Sequence, residues 1–145
     1  VTSVSPTTGG TAGGVTLTIT GSNFGLSPSV TVGTSPCPLA GPPAHSALEC
    51  ILPAGEGTAL SVFVTAAGQT GSGGSFSYNP PAITSIFPAS GPSAGGVPLT
   101  INGSNFGLSA SVSVDSATCP VTTRSHTQLV CTLPAGTGSN RDVVV

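Results

Sequence analysis

Val15-Thr16-Leu17-Thr18-Ile19-Thr20 alternates apolar residues with threonine. A period of two along a β-branched run predicts a strand with one buried and one solvated face. Val97, Leu99 and Ile101 repeat the inward series, and Val30-Thr31-Val32, Leu60-Ser61-Val62-Phe63-Val64 and Phe76-Ser77-Tyr78 add further short strands. Clusters of Gly, Pro, Ser and Asn separate these runs and read as turns. No stretch carries a helical stripe of useful length. Short strands with turn signals every ~8–12 residues predict an all-β protein built as a β-sandwich.

The pattern occurs twice. Thr11 to Gly25, TAGGVTLTITGSNFG, returns as SAGGVPLTINGSNFG from Ser93 to Gly107. The register that places Gly25 on Gly107 also places Val1 on Ile83, Pro6 on Pro88, Val30 on Val112 and Cys37 on Cys119. After a one-residue deletion His45 falls on His126, Cys50 on Cys131, and Leu52–Gly57 (LPAGEG) on Leu133–Gly138 (LPAGTG). Solenoid repeats run to roughly 20–50 residues, and this unit is longer. It has the length of a small domain. The expected organisation is two tandem domains, residues 1–81 and 82–145. Val143-Val144-Val145 matches Val62-Phe63-Val64, so the second copy is expected to lack anything equivalent to Thr65 through Tyr78, its final strand included.

Within the repeated stretch, Gly13-Gly14 and Gly95-Gly96 supply the positive φ that a tight bend into the strand requires. Phe24 and Phe106 are expected to plug the end of each sandwich, with Asn23 and Asn105 holding the turn. Recurrence in both copies is expected from folding alone, with ligand binding by Ser-Asn-Phe-Gly as the alternative.

Composition narrows the function. Only 4% of the residues are charged, against roughly 25% in an average soluble domain. There is no lysine, and Arg124 and Arg141 are the two arginines. Nucleic-acid binding needs a cationic stripe along the phosphates, so no nucleic-acid partner is expected. No apolar run approaches the ~20 residues that span a bilayer, and no direct membrane insertion is expected. Nothing at the N-terminus reads as a signal peptide, which suggests a mature chain or a fragment.

The four cysteines fall one pair to a copy, Cys37 with Cys50 and Cys119 with Cys131. Neither pair has the close spacing of a zinc knuckle or redox motif. One disulfide per copy is the expectation, implying an oxidising, extracellular compartment. Four buried free thiols and a metal site are the alternatives, and each copy offers one histidine, His45 or His126, beside its cysteines.

The ordered run V-x-S-V-x-P-x-x-G-x-x-x-G-G-V-x-L-x-I-x-G-S-N-F-G, then C, then C-x-L-P-A-G-x-G, then F-x-Y and Pro, resembles the IPT/TIG family of immunoglobulin-like domains. The resemblance covers nearly the whole chain and uses motifs in both copies. It implies tandem early-type immunoglobulin-like β-sandwiches. Members occur in plexins, hepatocyte growth factor receptors, fibrocystin-like surface proteins and, in a separate branch, DNA-binding transcription factors. The missing basic residues and the cysteine pairs fit the extracellular branch.

Catalytic chemistry is poorly supplied. Glu49, Glu56, Asp115 and Asp142 have no carboxylate counterparts in the other copy, and acid/base pairs or calcium cages need convergent oxygens. His45 and His126 recur, each before the strand with the second cysteine, but a nucleophile there would still need an orienting partner and an oxyanion site. No enzyme and no cofactor are expected, and the histidines read as turn or packing residues.

The faces say more. Alternation turns Thr16, Thr18, Thr20 and Thr31 outward, and Asn102-Gly103-Ser104 is an N-glycosylation sequon opposite the inward Ile101. A nearly neutral surface gives little colloidal protection. Glycans on Asn102, Thr16, Thr18 and Thr20, or burial against neighbouring modules, would supply it. About four linker residues containing Pro80-Pro81 favour a stiff polyproline connection and a short, semi-rigid rod.

The expected function is a non-enzymatic extracellular structural or adhesive module, with tandem repeats of a glycosylated surface protein or filament that contact one another or neighbouring repeats. The alternative is a ligand-binding ectodomain segment of a plexin-like receptor. That role would want an exposed aromatic and arginine cluster, whereas most of the five Phe and one Tyr sit at expected core positions. A carbohydrate-binding module would want Trp or Tyr platforms, and there is no Trp. The ending of copy two suggests a piece of a longer repeat array, or assembly through an open edge.

Overall fold

In the computed structural model, which describes all residues 1–145, every regular element is a β-strand. The chain divides into two units, Val1–Asn79 and Pro80–Val145.

Unit 1 contains β1 (Ser3–Ser5), β2 (Thr8–Gly9), β3 (Thr16–Thr20), β4 (Ser29–Val32), β5 (Ser35–Pro36), β6 (Ala47–Ile51), β7 (Leu60–Ala66) and β8 (Gln69–Tyr78). One sheet runs β1-β3-β6 and the other β2-β8-β7-β4-β5. All pairings are antiparallel except β2 with β8, where Thr8 faces Ser77 and Gly9 faces Tyr78. Leu17 and Ile19 from the first sheet and Val30, Val32, Val62, Val64 and Phe76 from the second meet in one core. The threonine alternation thus does what its period dictates, burying one face of β3.

Unit 2 contains β9 (Ala82–Phe87), β10 (Pro98–Ser104), β11 (Val112–Val114), β12 (Ala117–Cys119), β13 (Val121–Arg124), β14 (Gln128–Thr132) and β15 (Val143–Val144). Its sheets run β13-β14-β10-β9 and β12-β11-β15. Leu99, Ile101, Phe106, Val112, Leu129 and the two cysteines form the buried core. Ile86, Val114, Leu133 and Val143, the counterparts of buried Val4, Val32, Leu52 and Val62, are only partly buried.

One disulfide links each unit's sheets. Cys37, just after β5, bonds Cys50 of β6, and Cys119 of β12 bonds Cys131 of β14; the Cα atoms are 5.5 Å apart in both pairs. The free-thiol and metal alternatives are set aside by these bonds, which leave no free cysteine.

The expected details divide. Gly13, Gly14, Gly95 and Gly96 take φ of 71°, 81°, 68° and 80°, and a Cβ on Gly13 or Gly95 would sit 2.5 Å from the backbone of the Leu-Pro-Ala-Gly segment. Val15 departs from the alternation: it lies outside β3 and is exposed, although its carbonyl accepts the Leu52 N–H at 2.8 Å. Three residues, Asn79 to Pro81, connect β8 to β9 rather than about four.

Candidate functional site

Three features of the molecule could carry chemistry: the recurrent turns, the outer faces and the open seam of unit 2.

The Ser-Asn-Phe-Gly turns are structural. Asn23 and Asn105 adopt φ of 61° and 57°, a left-handed conformation that asparagine tolerates. Phe24 and Phe106 are buried, each against the glycine before the turn, where a Cβ on Gly21 or Gly103 would approach the ring Cζ to 2.5 Å. The histidines enter through their main chain: the His45 and His126 carbonyls accept the Phe24 and Phe106 N–H groups, both at 3.1 Å. The Asn105 amide also donates to the Pro80 carbonyl at 3.3 Å. The two bonds to histidine carbonyls are main-chain contacts that any residue at the position would supply. No group of three His, Cys, Asp or Glu side chains converges.

The outer faces are polar and tightly knit. Thr16 is exposed, whereas Thr18, Thr20 and Thr31 are half-buried between neighbouring strands. Thr20 shares a 2.6 Å hydroxyl–hydroxyl bond with Ser3. Asn102 is also half-buried. Its amide donates to Ser85 Oγ at 3.1 Å, and its Oδ1 accepts from Gln128 Nε2 at 2.9 Å, a row across β9, β10 and β14. Phe87 sits on the same strand as Ser85 and is 72% exposed. Alternation on β9 foretells this, since Phe87 and Ser85 share a parity; the aromatic side chain misleads the eye toward the core. No helix is long and apolar enough to cross a membrane.

The third feature is a cleft of about 660 Å³ in unit 2. Its floor is Ile86, Leu99, Leu133 and Val143, and its rims are the 88–92 segment and the 134–141 loop. Arg141 holds that loop, donating from Nε to the Thr137 carbonyl at 3.0 Å and from Nη1 to Asp115 at 2.6 Å. In unit 1 the corresponding space is filled by Phe76 and Tyr78 of β8, whose rings meet edge to face at 5.3 Å. The Tyr78 hydroxyl donates to the Pro53 carbonyl at 2.7 Å, and burial raises its pKa above the usual phenolic value. The sequence locates this difference by alignment, but the depth of the cleft and its polar rim are visible only in three dimensions.

A pair of disulfide-closed, immunoglobulin-like β-sandwiches in tandem is what this fold and these sites define. The chain belongs to the IPT/TIG domain family, whose model matches residues 1–78 and 81–145. It is 42% identical to human plexin-B1 over 114 residues, covering 72% of this chain and 5% of that protein. It is 36% identical to mouse fibrocystin-L over 140 residues, covering 92% of this chain and 3% of that protein. The chain thus spans 5% or less of the length of these relatives. Among solved structures, the plexin A4 extracellular region aligns over 95% of this chain and 13% of its own, with TM-score 0.50 and 22% identity. The surface glycan-binding protein PbSGBP-B from Prevotella bryantii aligns over 88% of this chain and 32% of its own, with TM-score 0.53 and 17% identity. Both likenesses concern the fold.

Proposed function

We propose that this chain is a non-enzymatic, extracellular structural or adhesive module, two adjacent repeats of a larger glycosylated surface protein. The observation that carries the reading is the tandem pair of IPT/TIG domains with one disulfide in each. Disulfides persist in oxidising compartments, and 92% of the chain aligns with fibrocystin-L. The surface supports the same reading, since 4% charged residues leave hydration to hydroxyls, amides and attached sugars. In this proposal glycans sit on Thr16, Thr18, Thr20 and Asn102. Because the Asn102 amide is tied to Ser85 and Gln128, its glycan would be attached before β10 pairs. Contacts to neighbouring repeats or to like chains are the proposed partners.

Intact-mass analysis of the chain secreted from a eukaryotic host tests this. Sugar mass that disappears on glycosidase treatment, with a four-hydrogen deficit for two disulfides, is expected. A secreted chain at bare polypeptide mass would remove the glycoprotein part, and free thiols the extracellular part.

Phe87 favours a second reading, a ligand-binding ectodomain segment. A 72% exposed aromatic is the kind of residue that anchors interfaces, and human plexin-B1 is 42% identical over 114 residues. Surface-display binding to plexin-type ligands, lost on Phe87→Ser, would decide for it.

A further inference from the structure

The two units carry the same outer rows of residues with different chemistry. In unit 1, Ser3 pairs with Thr20, Ser5 with Thr18, and Thr20 with Ala47 of β6. In unit 2 the matching pairs are Ser85 with Asn102, Phe87 with Thr100, and Asn102 with Gln128 of β14. Two changes therefore stand side by side. Thr20 becomes Asn102, the acceptor of a sequon completed by Ser104, and Ser5 becomes Phe87. Their chain neighbours Ile101 and Ile86 belong to the core or pack against it, so Asn102 and Phe87 both face outward. Phe87 is the diagonal neighbour of Asn102 across the strand pair, about 7–8 Å away, a span that aromatic side chains bridge.

The Asn102 amide is aimed toward the strand that carries this ring. Its Nδ2 donates to Ser85 Oγ on β9 at 3.1 Å, while its Oδ1 accepts from Gln128 on β14 at 2.9 Å. A group attached at Nδ2 therefore emerges over β9, not over β14. The ladder is irregular at this point, with a register shift between Asn102 and Gly103, the kind of bulge that re-aims a side chain. Thr84, which the shift leaves unpaired, donates from Oγ1 to the Asn102 carbonyl at 3.1 Å. Two residues along β9 from Ser85, on the same face, stands Phe87, 72% exposed.

We propose, on the footing of the glycoprotein reading above, that Phe87 is the seat of the sugar attached to Asn102, with the first N-acetylglucosamine lying flat on its ring. The sugar comes from a lipid-pyrophosphate-linked oligosaccharide. The bond between sugar C1 and Nδ2 forms, the C1–O bond to the pyrophosphate breaks, the pyrophosphate leaves with the electron pair, and one Nδ2 proton passes to a base. The N–H and Oδ1 that remain suffice for the bonds to Ser85 and Gln128. One face of a β-linked pyranose carries the axial hydrogens of C1, C3 and C5, and an aromatic face, negative in its quadrupole, complements them. The stacked sugar takes ring surface out of water. It also lies over β9, the end strand of the β13-β14-β10-β9 sheet, where exposed apolar surface invites edge pairing. Unit 1, with Thr20 and Ser5 at these positions, has neither the amide nor the ring.

The test is a cycle of Phe87→Ser against Asn102→Gln in the 145-residue chain, secreted from a eukaryotic host and trimmed by endoglycosidase to one N-acetylglucosamine at Asn102. Urea unfolding is read from unit 2 amides. With the sugar present, Phe87→Ser should lower the folding constant of unit 2 roughly three- to tenfold. In the Asn102→Gln background the same change removes an exposed ring and should cost about twofold or less; the difference is the coupling. Phe87→Tyr, which keeps the ring, should keep the coupling. The sugar's C1, C3 and C5 protons should resonate upfield of their positions in the urea-unfolded glycoprotein, and Phe87→Ser should abolish that shift. Peptide mapping that finds Asn102 bare would overturn both this seat and the Asn102 glycan itself. An occupied Asn102 whose sugar protons ignore Phe87→Ser, or equal losses in both backgrounds, would overturn the seat and leave the glycoprotein reading standing. Binding of the glycosylated chain to a plexin-type ligand, lost on Phe87→Ser, would place the ring in a protein interface and also overturn the seat.

Discussion

Gly21 and Gly103 show how a recurrent motif is held by sterics rather than chemistry. Each touches the ring of Phe24 or Phe106, and Gly103 also lies where a Cβ would meet the Ala82 carbonyl at 2.0 Å. Gly21→Ala should cost about 1–3 kcal/mol as an overpacking change, and Gly103→Ala more, because backbone yields less readily than a ring; urea unfolding measures both. At Asp115 and Ser116 the β11–β12 turn takes φ of 49° and 67°, a conformation that costs most L-residues roughly 1–2 kcal/mol. Ser116→Gly should therefore stabilise unit 2 by about 1 kcal/mol, seen as a raised urea midpoint. Tyr78 tests burial. Its pKa is raised by desolvation, so the folded state holds its proton where the unfolded chain, titrating near ~10, has begun to lose it. Stability contributed by the neutral phenol is complete below pH ~10 and falls as pH climbs toward the raised folded value. Tyr78→Phe should cost about 1 kcal/mol at neutral pH through the bond to Pro53, and should flatten the alkaline decline measured by unfolding between pH 8 and 11.

At the level of strands, alternation did most of the work. The apolar positions Leu17, Ile19, Leu99 and Ile101 are buried, because a period of two admits only one pleated solution. The repeat register carried the cysteine pairs, the glycine bends and the Phe plugs into both units. Alternation under-determined exposure on the outer face. Thr18, Thr20 and Asn102 face outward yet are half-buried, since flanking strands cover side chains that a single-strand pattern treats as free. Phe87 shows the reverse, where hydrophobicity suggests the core and parity places it outside. The rim of the cleft, from Ala89 to Arg141, brings together distant segments of the repeat and has no local signature. The disulfides are where element and sequence agree most directly. Their cysteines are 13 and 12 residues apart, for which the loop-entropy model gives about 3 kcal/mol each. Replacing Cys37 and Cys50 together by Ala should lower unit 1 by about that amount, and non-reducing peptide mapping of the parent should recover only Cys37–Cys50 and Cys119–Cys131 linkages.

Across the whole chain, two units built on one pattern have unequal cores. Unit 1 buries Val4, Val32, Leu52, Val62, Phe76 and Tyr78 almost completely. Unit 2 leaves the first four counterparts, Ile86, Val114, Leu133 and Val143, partly exposed around the cleft. Fully burying one large apolar side chain stabilises by roughly 1.5–3 kcal/mol, so the difference amounts to several kcal/mol, a large fraction of a small domain's total stability. Charge does not offset it: the Arg141–Asp115 pair is exposed on both sides, and such pairs contribute little. Each unit has its own core and its own disulfide, so each should unfold as its own cooperative block. Calorimetry of the 145-residue chain should resolve two transitions, with unit 2 the lower. Amide exchange should place the fastest-opening strands at β11 and β15 and the slowest at β3, β6 and β7. A single transition with uniform protection would mean that the units are energetically coupled, and the unequal cores would then not set the order of unfolding.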